Sequence, residues 1–192
     1  MLKKIMVAMF LQLAAPVVLA HGEGVHAHDV GLITGLAHPF SGLDHLMAMV
    51  AVGLWAAQKG GRALWLLPAT FVSIMALGGV MGVSGVALPG MEMGIALSVM
   101  ALGLLIALQS RWSLLVACAT VGFFALFHGA AHGLEMPLAA SPWGYGFGMI
   151  AATALLHGAG VLAGMKLRQV ILRVAGGVIS MAGLGMMLPL LG

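Results

Sequence analysis

His128, His132 and Glu135 stand four and then three residues apart in the run Phe127-His128-Gly129-Ala130-Ala131-His132-Gly133-Leu134-Glu135. On a helix those intervals place all three on one face. Two imidazoles and a carboxylate in register make a donor set for a divalent transition-metal ion. A related group lies upstream in His38-Pro39-Phe40-Ser41-Gly42-Leu43-Asp44-His45. There a carboxylate beside an imidazole supplies two ligands or orients a ligand histidine. His157 stands alone among Leu155, Leu156 and Gly158. A fourth group opens with His21 and continues through Glu23, His26, His28 and Asp29; if His21 becomes the N-terminus, its α-amino group adds a further donor for capturing metal outside. His-x3-His also occurs in zinc proteases, where Glu directly follows the first His; Gly129 holds that place here, so the general base is missing.

These donors sit in an unusual setting. Of 192 residues, 62% are apolar and 7% charged, against about a quarter charged in a soluble domain, so the outer surface must face lipid. The eight Lys and Arg are scattered, which excludes a nucleic-acid partner, and one cysteine, Cys118, makes no internal disulfide. Lys3 and Lys4, the apolar run 5–13 and the small residues before His21 read as a secretory signal over 1–20, cleaved after Ala20. A periplasmic His-rich N-terminus, 21–29, follows, and then a transmembrane domain over 30–192. Turn and charged residues divide that domain into six spans of roughly the length a bilayer requires, at about 30–58, 63–83, 92–109, 112–134, 143–165 and 174–191. Lys59, Arg62, Arg111, Lys166, Arg168 and Arg173 all fall in the first, third and fifth connections. The positive-inside rule puts those connections in the cytoplasm and both mature termini in the periplasm of a bacterial inner membrane, in agreement with the exported leader.

The fold class follows as an all-α integral membrane protein, a compact bundle of six transmembrane helices after a cleaved signal peptide. An open sheet would leave backbone groups unpaired in hydrocarbon. The 29 glycines serve close helix approach, with four-residue spacings at Gly78/Gly82, Gly129/Gly133, Gly144/Gly148 and Gly160/Gly164. The 16 Met residues show no fixed interval and read as packing or lipid-facing. Pro39 is expected to kink or break the first span and to leave His38 at the head of the segment Ser41 to Gln58. At about 1.5 Å per residue, Glu135 and His132 fall at the outer surface, His128, Asp44 and His45 about a third of the way in, and His157 near the midplane. Uncompensated ionisable groups cost about 2.5–3.5 kcal/mol at mid-membrane, so such a descending series reads as functional. A permeating cation needs graded ligands that replace its hydration without trapping it.

Imidazole and carboxylate donors without thiolate suit Ni²⁺, Co²⁺ or Zn²⁺ and argue against Cu⁺, Mg²⁺ and Ca²⁺. No nucleotide-binding loop is present, hence no ATPase of its own, and no prosthetic group is expected. Rival readings are a membrane-embedded zinc-dependent hydrolase and a metal sensor that binds without transport. Gly82-Val83-Ser84-Gly85 matches the Gly-x-Ser-Gly of rhomboid proteases, with His157 as base, although turn usage accounts for Ser84.

The residues His38-Pro39 with Gly42-Leu43-Asp44-His45, and Phe127 through Glu135, closely resemble the two signatures of the HupE/UreJ family of nickel and cobalt permeases. The likeness extends over nearly the whole chain, His157 in the fifth span included. In the separate nickel–cobalt transporter family four residues part the His from Asp-His; here five separate His38 from Asp44, which favours HupE/UreJ. The resemblance implies high-affinity uptake of Ni²⁺ or Co²⁺ for hydrogenase, urease or cobalamin enzymes, with a cytoplasmic metallochaperone as a partner. The metal ligands then expected are His38, Asp44, His45, His128, His132, Glu135, His157 and His21.

Overall fold

The computed structural model describes residues 27–191. The expected signal peptide and His21 lie outside the described residues. Those described form seven α-helices and a closing 3₁₀ turn, with no strand: α1 Ala27–Ser41, α2 Leu43–Lys59, α3 Ala63–Val83, α4 Met91–Ala107, α5 Leu114–Leu134, α6 Pro142–Lys166, α7 Gln169–Met187 and the turn Leu188–Leu190. Helix starts carry ordinary stop-and-start chemistry. Ser113 accepts from Val116 N at 3.3 Å ahead of α5, and Ser141, followed by Pro142 in the first turn, accepts from Gly144 N at 3.4 Å ahead of α6; both supply an acceptor to an amide without a helical partner.

Four elements are long and apolar enough to cross a bilayer: α3, α5, α6, and α7 with its closing turn. The helices α1 and α2 are long and apolar enough only when taken as a pair, and an 83° bend separates them. The helix α4 has 17 residues, about 25 Å of rise. Outward faces are apolar, as lipid contact demands: Leu77 and Val80 on α3, Leu115 and Phe123 on α5, Val170 and Val178 on α7 are all exposed.

The break in the first span falls at Gly42, three residues beyond Pro39. Pro39 remains inside α1, whose last turn is tied off where Ser41 Oγ donates to the His38 carbonyl at 2.6 Å. Gly42 is extended (φ −106°, ψ 126°) and begins α2. His38 therefore ends the first helix instead of heading the second. Pro39 removes only the bond from its own missing amide to the Gly35 carbonyl, so the helix runs on to Ser41 and the chain turns at the next glycine.

The second helix is the centre of the bundle. From Ala48 to Ala56 all its side chains but Val50 are buried, against α6, α4 and α3, as expected of a helix surrounded by others. Around it run the pairs α3–α5, α4–α7 and α1–α6. Glycines set how closely these pairs meet. Gly129 and Gly133 of α5 back onto the carbonyls of Met75 and Gly79, while Gly78 and Gly82 of α3 face the carbonyls of Leu126 and Ala130. Gly53 of α2 and Gly160 of α6 meet in the same way. At such sites backbones touch without side chains between them.

The basic connections gather at one end of the bundle. Lys59 Nζ donates to the Trp112 carbonyl at 2.6 Å, Gln109 Nε2 to Gln169 Oε1 at 3.0 Å, and Arg173 Nε to the Ala107 carbonyl at 3.2 Å. Glu135, His38 and the start of α2 lie at the opposite end. Gly129→Leu is expected to destabilise the fold by about 1–3 kcal/mol or more through overpacking against α3, whereas Gly177→Ala, where an added Cβ meets nothing within 4 Å, leaves it unchanged or slightly firmer. Thermal unfolding of the two variants in detergent checks this; equal melting temperatures would contradict the close-contact account.

Candidate metal site

The 83° turn between α1 and α2 lets side chains from either side of the break reach the same face of α5. His38 comes from the last turn of α1, Asp44 and His45 from the first turn of α2, and His128 and His132 from successive turns of α5, with Glu135 capping it. The His45 ring lies 4.3 Å from that of His132 and 5.0 Å from that of His128, and the His38 ring 5.0 Å from His132. Two groups of three donors result, His45/His128/His132 and His38/His132/Glu135, and in each group the ligand atoms lie within 4.8 Å of one another. His132 belongs to both. Expected at the outer surface, it is 3% exposed, because the bent first span closes over it.

The hydrogen bonds of these imidazoles decide which nitrogen can bind a metal. Asp44 Oδ1 lies 2.7 Å from His45 Nδ1 and also accepts the His45 amide at 2.7 Å. The ring proton is thereby held on Nδ1, and Nε2, which is buried without a partner, keeps its lone pair. Asp44 thus orients a ligand histidine and stands outside both three-donor groups. Ser98 of α4 does the same for His128. Its hydroxyl donates to the Ile95 carbonyl at 2.6 Å, so its oxygen accepts from His128 Nε2 at 2.8 Å, and His128 Nδ1 is left open and unpartnered. His132 is buried with neither nitrogen hydrogen-bonded among the described residues. A polar atom in that state costs about 1–3 kcal/mol, a debt that a cation between three imidazoles removes. The donors present therefore fit a transition-metal ion.

Toward the outside, His38 Nε2 meets Glu135 Oε2 at 3.0 Å, with Glu135 46% exposed. The hydrogen bond from His38 holds the Glu135 carboxyl below its usual value, against a smaller opposing effect of burial. The Glu135 carboxylate therefore stays ionised under mildly acidic conditions. Tyr145 of α6 is buried with its ring 5.9 Å from His38 and its hydroxyl unpartnered. A cavity of about 450 Å³ beside His132 is walled mostly by apolar side chains, Met75, Val80, Phe147 and Ile150 among them, which suits a hydrocarbon chain better than a hydrated ion.

His157 stands apart from both groups. Its Nδ1 donates to the Met49 carbonyl at 2.7 Å, Nε2 is open, and its ring touches the outer histidines only through Phe71, 5.0 Å from His157 and 5.6 Å from His128. The Ser84 hydroxyl donates to the Val80 carbonyl at 2.8 Å, which is helix-end chemistry and not that of a nucleophile. Sequence reasoning did not select Ser98 or Tyr145. A serine inside an apolar helix, away from either end, was the available signal for the first.

Comparison with known proteins finds matches over most of the chain. The family model described as HupE / UreJ protein matches residues 8–186. Protein HupE of Rhizobium leguminosarum bv. viciae is 49% identical over 175 residues, 89% of this chain and 91% of the relative. No solved structure matches. Because Ser98 fixes the His128 tautomer, Ser98→Ala is expected to weaken Ni²⁺ or Co²⁺ binding by about 10–100-fold while the protein still folds. Titration calorimetry of the purified variant reads this, and unchanged affinity would remove Ser98 from the site.

Proposed function

From the premise that this chain belongs to the HupE/UreJ family, we propose that it is an inner-membrane permease for Ni²⁺ or Co²⁺, with Zn²⁺ as a competing cation. In this reading α1 and α2 form one broken span and α4 a short further one, six in all. The basic connections face the cytoplasm and both mature termini the periplasm. The observation that carries the proposal is the sharing of His132 between two adjacent three-donor groups. An ion attracted to the His38–Glu135 rim exchanges ligands one at a time, through His132, onto His45 and His128. At no point does it lose hydration without a replacement. Asp44 contributes twice, by orienting His45 and by placing a negative charge close to a cation in a medium of low dielectric.

His21 and the leader histidines would capture the ion outside, and His157 would receive it deeper. Moving two positive charges inward down the membrane potential releases about 4.6 kcal/mol per 100 mV, so no ATPase is required. A cytoplasmic metallochaperone of a hydrogenase, urease or cobalamin pathway would complete the route.

Proteoliposomes containing the full chain, given radioactive Ni²⁺ with Co²⁺ and Zn²⁺ as competitors, test function and selectivity together. His128→Ala and Asp44→Asn are each expected to lower initial uptake by at least about tenfold; wild-type rates in both would overturn the permease assignment, and binding without flux would favour a sensor. A second expectation concerns pH. An imidazole ligates only through its lone pair, and an ordinary histidine is protonated below about pH 6.5, so acid competes with the metal for imidazole ligands. Glu135 does not compensate, since it is ionised across this range. Uptake is expected to fall as external pH drops below about 6; a flat profile from pH 7.5 to 5 would count against imidazole ligation at the rate-limiting site.

A further inference from the structure

One turn inward from His45, the helix α2 carries Met49, and beyond it the structure places donors of a different kind. Thr153 of α6 directs its hydroxyl to Met49 Sδ at 3.5 Å and to Met75 Sδ of α3 at 3.6 Å. Thr153 and Met49 are wholly buried, and Met75 nearly so. A threonine inside a helix ordinarily returns its hydroxyl to the carbonyl four residues back, as Thr120 does to Val116 at 2.9 Å. Thr153 instead turns to two thioethers, which are weak acceptors. Its single proton serves one sulfur at a time, and the oxygen lone pairs and the other sulfur stay uncommitted. One turn further along α6 is His157, buried, with Nδ1 tied to the Met49 carbonyl and Nε2 unpartnered.

The order along the bundle is the point. His45 to Met49 on α2 and Thr153 to His157 on α6 both run from the outer end toward the basic end, so Met49 and Thr153 come between the outer histidines and His157, and Met75 of α3 reaches in to the same hydroxyl. We propose that Met49, Met75, Thr153 and His157 form a second, inner binding site for a borderline transition-metal cation, built of thioether, hydroxyl and imidazole. This inference rests on the permease reading for its physiological meaning, though not for its test. A soft site placed after a harder, carboxylate-flanked one rejects Mg²⁺ and Mn²⁺, which thioethers bind poorly. Selection would then occur in two steps of different chemistry.

Equilibrium Co²⁺ binding to the full chain in lipid nanodiscs tests the site without requiring transport. Wild type is expected to bind two ions, the inner one giving a near-ultraviolet sulfur-to-cobalt charge-transfer band. Met49→Leu/Met75→Leu keeps side-chain volume nearly constant and should retain the outer ion, lose the sulfur band and weaken the second ion by about tenfold or more. In proteoliposomes the same variant should let Mn²⁺ and Mg²⁺ suppress Ni²⁺ uptake more strongly than in wild type. A wild type that binds one ion without a sulfur band, or a double variant that keeps both ions and the band, overturns the inner site. Should the double variant fail to fold, the wild-type band and the single variants decide in its place. Absence of flux in wild type, with the band and two ions intact, would overturn the permease reading and leave the inner site standing.

Discussion

A buried imidazole presents its lone pair in a fixed direction when the proton on its other nitrogen has a fixed acceptor. The interior of this bundle is arranged around that requirement. Asp44 receives the proton of His45, the Ser98 oxygen that of His128, and the Met49 carbonyl that of His157. Each acceptor belongs to a different kind of group, a carboxylate, a hydroxyl and a main-chain oxygen, yet the outcome is the same: one nitrogen locked, the other open and desolvated. Without these acceptors the rings would turn to satisfy themselves on helix carbonyls, and the donors would cease to converge.

That arrangement in turn needs backbones held closer than ordinary side chains permit. The acceptor for His157 is a carbonyl of α2, within reach only because Gly53 and Gly160 bring α2 and α6 together. His128 and His132 each precede a glycine that backs onto α3. The glycine fixes which side of α5 faces α3, and so which side is left for the histidines. Gly42 completes the set: a side chain there would press on Asp44 Oδ1 and His45 Nδ1, so the residue that permits the 83° turn also leaves room for the orienting pair. Packing and chemistry use the same glycines.

How much of this was legible in the sequence depends on whether the relation lies within one helix or between two. The His128, His132 and Glu135 face, the Asp44–His45 pair and the paired glycines are local periodicities, and the helix boundaries fall within a few residues of those expected from charge and turn residues, except that α7 begins at Gln169, five residues before the expected 174, and takes in Arg173. The break at Gly42 was misplaced by three residues because proline chemistry identifies a weak point and tertiary contact chooses where the chain uses it. The burial of His132 was missed because depth along a straight helix ignores a neighbour that bends over its end. The roles of Ser98 and Thr153 were not legible for a deeper reason. Their roles consist of contacts to α2, α3 and α5, and no spacing along α4 or α6 encodes such contacts.

A cation that crosses such a ladder faces two opposed demands. Micromolar capture corresponds to about 8.2 kcal/mol of binding, nearly twice the 4.6 kcal/mol or so that a divalent ion gains from 100 mV. If successive sites were separate, each departure would require escape from a full well, and tight capture would forbid useful flux. A histidine common to two neighbouring sites changes the barrier, because the ion keeps that bond while others are exchanged and only part of the binding energy is surrendered at a time. His132 can serve in this way because neither of its nitrogens is engaged by the protein, whereas His45, His128 and His157 are each pinned. For the proposed passage of an ion from rim to interior, one free ring among fixed ones is the suitable arrangement, and the least hydrogen-bonded histidine lies where the two groups meet.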